Sequence, residues 1–259
     1  MPVSFDNCGN LQYLSSIMIR FVSKLLNLCK AIFYALDWGF NPTHTKSAIQ
    51  AAEIYLNNKT KYPQIEAMMN KNPEIYNQLN SPEFADDMSK PWNITTFKQT
   101  YGKGTLGYDY AIFMEQLGFE ALGFNLSDTI PVNIRNILNL GVRNHDLVHF
   151  LFGLYDADSQ GNLVISDFHE WIFLFYTTGT VASGQKFLPN ILLFPSFLKA
   201  LFTGNRKRFF EARTIGAKMS GAANLNLMWL KPYFNSPKEE VMNLLRVQTM
   251  SAIIASKNA

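Results

Sequence analysis

The chain has 259 residues, 47% of them hydrophobic against 17% charged, and a net charge of +3. That length supports one large core without covalent staples, and so small a charge excess excludes nucleic-acid binding as a main task. Two cysteines, Cys8 and Cys29, match no zinc or redox spacing, so neither a disulfide framework nor thiol chemistry is expected.

Residues 11–36 set Gln12, Ser16, Arg20, Ser23, Asn27 and Lys30 at steps of three and four among apolar residues, which predicts an amphipathic helix. Such a helix packs on its own domain or on a partner subunit in a homodimer, or lies in a membrane interface with Arg20, Lys24 and Lys30 at headgroup level. Asn41-Pro42 ends it, dividing the chain into an arm, 1–40, and a helical domain, 41–259. No apolar stretch reaches the roughly 20 residues of a membrane-spanning helix, and Arg20 and Lys24 interrupt the apolar run of a secretion signal. The expected location is therefore the cytoplasm or a membrane surface, without secretion.

Helical spacing recurs from Ser47 to Asn58, around Ile65–Met69 and over Glu74–Leu79, with Asn72-Pro73, Ser81-Pro82 and Lys90-Pro91 as breaks. A helix over Gly107–Leu117 has Thr105 as its cap, and Ile130–Leu151 makes one or two more. Beyond Asn162 a strongly apolar helix passes through Phe168, Trp171, Ile172 and Phe175. Phe187–Phe202 is almost wholly apolar but holds Pro189 and Pro195, which predicts a bend around a cavity or a membrane surface. Ser236-Pro237-Lys238-Glu239 reads as a capped helix start. No strand pattern of useful length and no repeat appears, so the fold class expected is all-α.

Three motifs carry chemistry. Gly102, Gly104 and Gly107 spell the dinucleotide fingerprint, with Asp128 at the distance of a ribose-binding acid, but no βαβ succession surrounds them. Residues 156–167 resemble a calcium loop, with Asp156, Asp158 and Gly161 in register but Gln160, Val164 and Asp167 off pattern; a polar turn between two helices is the alternative. His145-Asp146-Leu147-Val148-His149 places two imidazoles one helical turn apart, either as hydrogen-bonded histidines near a surface or as two ligands of one divalent metal.

The context of the third motif resembles a known family. Arg143 through Leu154, with Gly104-Thr105-Leu106-Gly107-Tyr108, Phe113 through Phe119 and Ser236 through Arg246, is similar to the ubiquinone (coenzyme Q) biosynthesis family numbered four, over roughly residues 47–248. The resemblance implies an all-helical fold, work on a prenylated quinone, association with membranes and with other enzymes of that pathway, and a divalent metal held by His145, Asp146, His149 and a later glutamate. It also implies replacement of the ring carboxylate of a prenylated aromatic acid by hydroxyl. The family's glutamate follows the second histidine by twelve residues; here that position is Gly161, and Asn162 stands next to it, with Asp158 as the acid able to substitute and His169 as a further donor. The metal, zinc, iron or magnesium, is thus expected on His145, Asp146, His149, Asn162 and Asp158.

The 21 phenylalanines exceed what a simple core needs, and an apolar cavity or a membrane-facing surface would absorb the excess. Trp171, Phe175, Phe194, Phe197, Leu198 and Phe202 are the expected lining for an isoprenoid or prenylated quinone tail, and Arg143, Arg206 and Arg208, with Lys207, the expected receptors for an anionic head or for lipid headgroups. The leading expectation is a lipid-binding protein of isoprenoid-quinone biosynthesis. A metal-dependent enzyme on a prenylated aromatic acid is the alternative, and a calcium-binding protein a more distant one.

Overall fold

The computed structural model describes residues 62–70, 73–90, 92–118, 130–180, 187–222 and 224–258, with scattered positions between 26 and 50. The expected arm helix and the helix at 47–58 fall almost wholly outside them, as does Asp128.

Three short helices, Tyr62–Asn70 (α1), Pro73–Leu79 (α2) and Pro82–Ser89 (α3), open the described part. The prolines that looked like breaks are also starts, since proline in the first turn gives up an N–H that has no helical partner. Ser81 caps α3 by accepting from Phe84 N at 3.1 Å. Helix Ile94–Thr100 (α4) went unmarked in the sequence; Asn93 caps it through Thr95 N at 3.2 Å. Leu106–Leu117 (α5) starts at Thr105 as expected and ends on Gly118 in the left-handed region, φ 66°.

Val132–Phe152 (α6) is one helix of 21 residues. It stops at Gly153, φ 64°, in a Schellman closure where Leu154 N–H donates to His149 O at 2.8 Å. A small antiparallel hairpin follows, β1 (Asp156–Ala157) against β2 (Leu163–Val164). Asp167–Thr180 (α7) then begins at Ser166, whose N–H donates to His169 Nδ1 at 3.1 Å, as it would to the glutamate of a capping box.

Phe187–Phe202 (α8) is one helix with Pro195 inside it, where the proline nitrogen has no hydrogen to donate to the helical ladder. Arg206–Met219 (α9) was not predicted, because its buried stripe of Phe209, Ala212, Ile215, Gly216 and Met219 is thin and partly made of small residues. Lys238–Leu244 (α10) starts later than its sequence signal: Ser236 makes no cap, and its carbonyl instead accepts from Leu106 N at 2.8 Å. Met250–Asn258 (α11) ends the described chain.

The large core joins α4 to α11 around Trp92, Tyr110, Phe152, Tyr176 and Phe234. A smaller one holds Leu79, Phe84 and Met88 against Ile134, Ile137 and Leu140 of α6. Buried Asp87 bridges the two, accepting from the indole nitrogens of Trp92 at 3.0 Å and Trp229 at 2.8 Å and from Lys231. Arg143 of α6 lies 3.7 Å from its carboxylate and donates to its carbonyl at 2.7 Å. Helices α7 and α9 meet at backbone distance, since a Cβ on Gly216 would stand 2.6 Å from Ile172 O. Gly107 of the dinucleotide-like spelling is likewise a packing glycine, with the Tyr101 ring 2.5 Å from where its Cβ would be, and a turn precedes it instead of a parallel strand.

Candidate metal centre

His145 and His149 stand on one face of α6, ring centroids 4.7 Å apart. The Schellman turn at Gly153 folds the chain back so that Leu154 O lies 3.1 Å from His149 Nδ1. A carbonyl only accepts, so His149 carries its proton on Nδ1 and presents a lone pair at Nε2. That nitrogen is buried with no hydrogen-bond partner, and it faces Glu170 Oε1 at 3.6 Å.

His145 repeats the arrangement with a different anchor. Its Nδ1 donates to Asp146 Oδ1 at 2.9 Å, and its Nε2 lies 3.4 Å from Glu170 Oε2. Glu170 comes from the first turn of α7, with both oxygens turned to the imidazoles. One ligand atom from each of His145, His149 and Glu170 lies within 4.8 Å of the others, the one such group of three or more among the described residues. Phe173, one turn after Glu170, closes one side, its ring 4.5 Å from His145 and 5.5 Å from His149.

The electrostatics follow from crowding three titratable groups out of water. Burial disfavours the His145 cation, but the Glu170 carboxylate and the bonds to Asp146 and Glu170 outweigh it, and the imidazole is pushed up to about 10. Burial likewise disfavours the Glu170 anion, but the His145 cation beside it holds its carboxyl well below the ordinary range. Without a metal the cluster therefore carries a proton on His145 in the middle of its acids. A divalent cation fits the same place. Two Nε2 atoms and a carboxylate converge, and each histidine's other nitrogen is held by an acceptor, the outer-shell pattern of metal-bound imidazole.

The site differs from the sequence expectation in its acid. Asp146 is beside the cluster as the anchor of His145. Asp158 and Asn162 are outside it: the Asp158 carboxylate accepts from Gln160 N and Asn162 N, both at 2.8 Å, and from Asn162 Nδ2 at 3.0 Å, which shapes the exposed hairpin turn. The hairpin is why the spacing misled. It lies between α6 and α7, so that counting twelve residues from His149 lands in its turn, whereas the acid beside the two histidines is Glu170. A signal was present, since Glu170 is the last acid before the apolar run Trp171–Tyr176. His169 faces another way, Nδ1 to Ser166 and Nε2 3.6 Å from Asp156 Oδ2. The calcium-like loop also disperses its oxygens, with Asp158 on its own backbone, Asp156 toward His169 and Asp167 paired with Lys199 at 2.8 Å.

The other expected residues are scattered. Arg143 is buried, its guanidinium spent on the carbonyls of Asp87, Met88 and Lys90 and laid 5.2 Å from the Trp92 ring, so no face remains for an anion. Trp171, Phe175 and Phe197 pack around Phe209 of α9. They lie on the flank of α7 away from Glu170, because positions 171 and 175 sit some 100–140° around the helix from 170, given about 100° per residue. Leu198 is half-buried, and Phe194 and Phe202 are exposed, as are Arg206 and Arg208. These residues do not form one lining beside the histidines.

Fold and site together define an all-helical protein with a buried cluster of two histidines and one carboxylate. No family model matches the sequence, and no curated protein matches it. Among solved structures, the chain is similar to the crystal structure of a proposed ubiquinone biosynthesis protein from Nostoc punctiforme, with a TM-score of 0.60 and 16% identity over 85% of this chain and 95% of that one. That likeness establishes the shared all-α fold. No helix among the described residues is long and apolar enough to cross a membrane.

Proposed function

We propose that this protein works in ubiquinone-type biosynthesis, holding a prenylated aromatic precursor beside a divalent metal on His145, His149 and Glu170. The observation that carries the reading is the buried, unpartnered Nε2 of His149 aimed at a carboxylate, since such an atom is costly to bury unless something is bound to it. Two imidazoles and one carboxylate suit zinc or iron; magnesium prefers oxygen donors throughout. When bound, the metal would polarise a ligand oxygen and leave coordination positions open to the precursor.

The chain's own residues do the positioning. Asp146 and Leu154 O fix the two rings, and Phe173 shields them from water. The tail is assigned to the face of α6 one turn before His145, where a Cβ on Gly141 would meet no described atom within 4 Å. A mid-helix glycine costs roughly 1 kcal/mol against alanine, and no packing contact among the described residues requires it.

The Glu170 carboxylate beside the two histidines favours a second reading, in which the site is catalytic: the ring–carboxylate bond breaks to release carbon dioxide, one atom of dioxygen becomes the ring hydroxyl, and the other leaves as water with two protons and two electrons from an external reductant. Organic extraction of the purified protein followed by mass spectrometry tests the first reading. A prenylated aromatic compound is expected in the wild type and strongly reduced in Gly141→Trp; extracts that are equal, or empty of such lipid, contradict it.

A further inference from the structure

Helix α5 and the hairpin strand β2 flank a hollow of about 480 Å³. Asp109, Ile112 and Phe113 line it from one face of α5, at steps of three and four, and Phe150, Tyr155 and Leu163 close it from the end of α6 and the chain beyond. The walls are largely aromatic. The Phe113 ring centroid lies 5.2 Å from that of Phe150 and 5.1 Å from that of Tyr155, and both pairs are tilted. Rings set at such angles leave edges and faces for one more ring to meet.

Asp109 is the one acid in these walls. It is half-buried, and its carboxylate makes no hydrogen bond or close ion pair among the described residues. Lys238 feels its charge through space, yet the Lys238 ammonium rests 3.9 Å over the Phe150 ring. Phe150 thus already receives one ammonium on its face. Lys103 stands at the rim with its side chain exposed. The start of α5 has nothing to give an anion, because the N–H groups of Leu106, Gly107 and Tyr108 donate to Ser236 O at 2.8 Å, Phe234 O at 3.0 Å and Thr105 Oγ1 at 3.5 Å. An anionic ligand would therefore meet Asp109 with no backbone donor in exchange. A wholly apolar one would strip the carboxylate of water and return no hydrogen bond.

We propose that this hollow binds a small aromatic amine, its ring packed against Phe113, Phe150 and Tyr155 and its ammonium donating to the Asp109 carboxylate. The ring answers the walls, and the ammonium supplies the donor that Asp109 lacks. The site is separate from the histidine cluster but shares its framework. Phe150 follows His149 and so points about 100° away round α6, and Tyr155 follows Leu154, whose carbonyl orients the His149 ring. The inference rests on the hollow and holds or fails independently of the metal.

The test is isothermal titration calorimetry of the full chain with three probes. Tryptamine carries ring and ammonium, indole-3-propionate the same ring with an anion, and 2-cyclohexylethylamine the ammonium without an aromatic ring. Tryptamine is expected to bind, and each of the other two to bind about tenfold more weakly or not at all. Asp109→Asn should weaken tryptamine about tenfold and Tyr155→Leu about fivefold, in protein whose thermal melt shows it folded; should either variant melt early, the three probes on wild type decide. Wild-type protein that ignores tryptamine, equal binding of the propionate or of the cyclohexyl amine, or unchanged tryptamine affinity in folded Asp109→Asn would each overturn the proposal. Metal content of the same preparations reports separately on the proposed function.

Discussion

Gly216→Ala pits two opposing effects against each other at the seam that holds Glu170 in place. In an exposed helix the substitution would stabilise by roughly 0.8–1 kcal/mol. Here the new methyl would lie 2.6 Å from Ile172 O, 2.7 Å from Phe175 Cβ and 2.9 Å from Tyr176 N, two of them backbone atoms of α7 that no rotamer change relieves. Reaching the 3.4 Å of ordinary contact needs α7 and α9 to part by about 0.8 Å. Overpacking of this kind costs roughly 1–3 kcal/mol, and with rigid backbone facing it the upper half of that range applies. The net loss should be about 1–2 kcal/mol, seen as a drop of a few degrees in melting temperature at roughly 2–4 °C per kcal/mol. Gly141→Ala is the matched control, also mid-helix but with open space at its Cβ, and it should stabilise by up to about 1 kcal/mol. Thermal melts of the two variants beside wild type decide the matter. If Gly216→Ala melts at or above wild type, the close approach of α7 and α9 is wrong.

Three further outcomes are expected. Asp87→Ala strands the buried Arg143 and leaves the indole N–H groups of Trp92 and Trp229 unpaired, so chemical denaturation should show a loss of roughly 3–5 kcal/mol; a loss under about 1 kcal/mol would refute its bridging role. For metal-free protein, the His145 value is raised in the fold to about 10 from the ordinary ~6.5. Its contribution to stability is thus complete below about pH 6.5 and lost as pH climbs through 10. Melting temperature should fall over that window, the fall should shrink in Glu170→Gln, where Asp146 alone still raises the imidazole, and an unchanged slope in that variant would count against the His145–Glu170 pairing. Asp158→Ala should leave metal affinity unaltered while loosening the hairpin, as read by amide exchange at Gln160 and Asn162; a large loss of metal would return Asp158 to the ligand set.

Much of the fold was legible because its helices announce themselves locally. Thr105 capped α5 as expected, and the 21-residue α6 covers the stretch Ile130–Leu151, where the sequence left one helix or two open. Helices α4 and α9 were missed for physical reasons: the first is seven residues long, and the second buries glycine and alanine against a neighbouring backbone, which leaves no bold apolar stripe. At the site, the histidine pair could be read from one turn of sequence. The acid could not be placed by counting, because the contact between α6 and α7 is tertiary and the hairpin stands between them in the chain. The apolar excess was read as a cavity lining, yet Trp171, Phe175 and Phe197 fill the α7–α8–α9 interface while Phe194 and Phe202 face outward. Composition reports how much apolar surface a chain carries and says nothing of which side of a helix it occupies.

Elemental analysis of the purified protein, wild type beside Glu170→Gln, tests the central claim most directly. The account predicts close to one equivalent of zinc or iron per chain in the wild type, and little in the variant, where a neutral amide replaces the carboxylate between the two Nε2 atoms. Metal-free wild-type protein that takes up neither ion on addition, or a Glu170→Gln variant that keeps its full complement, would contradict it.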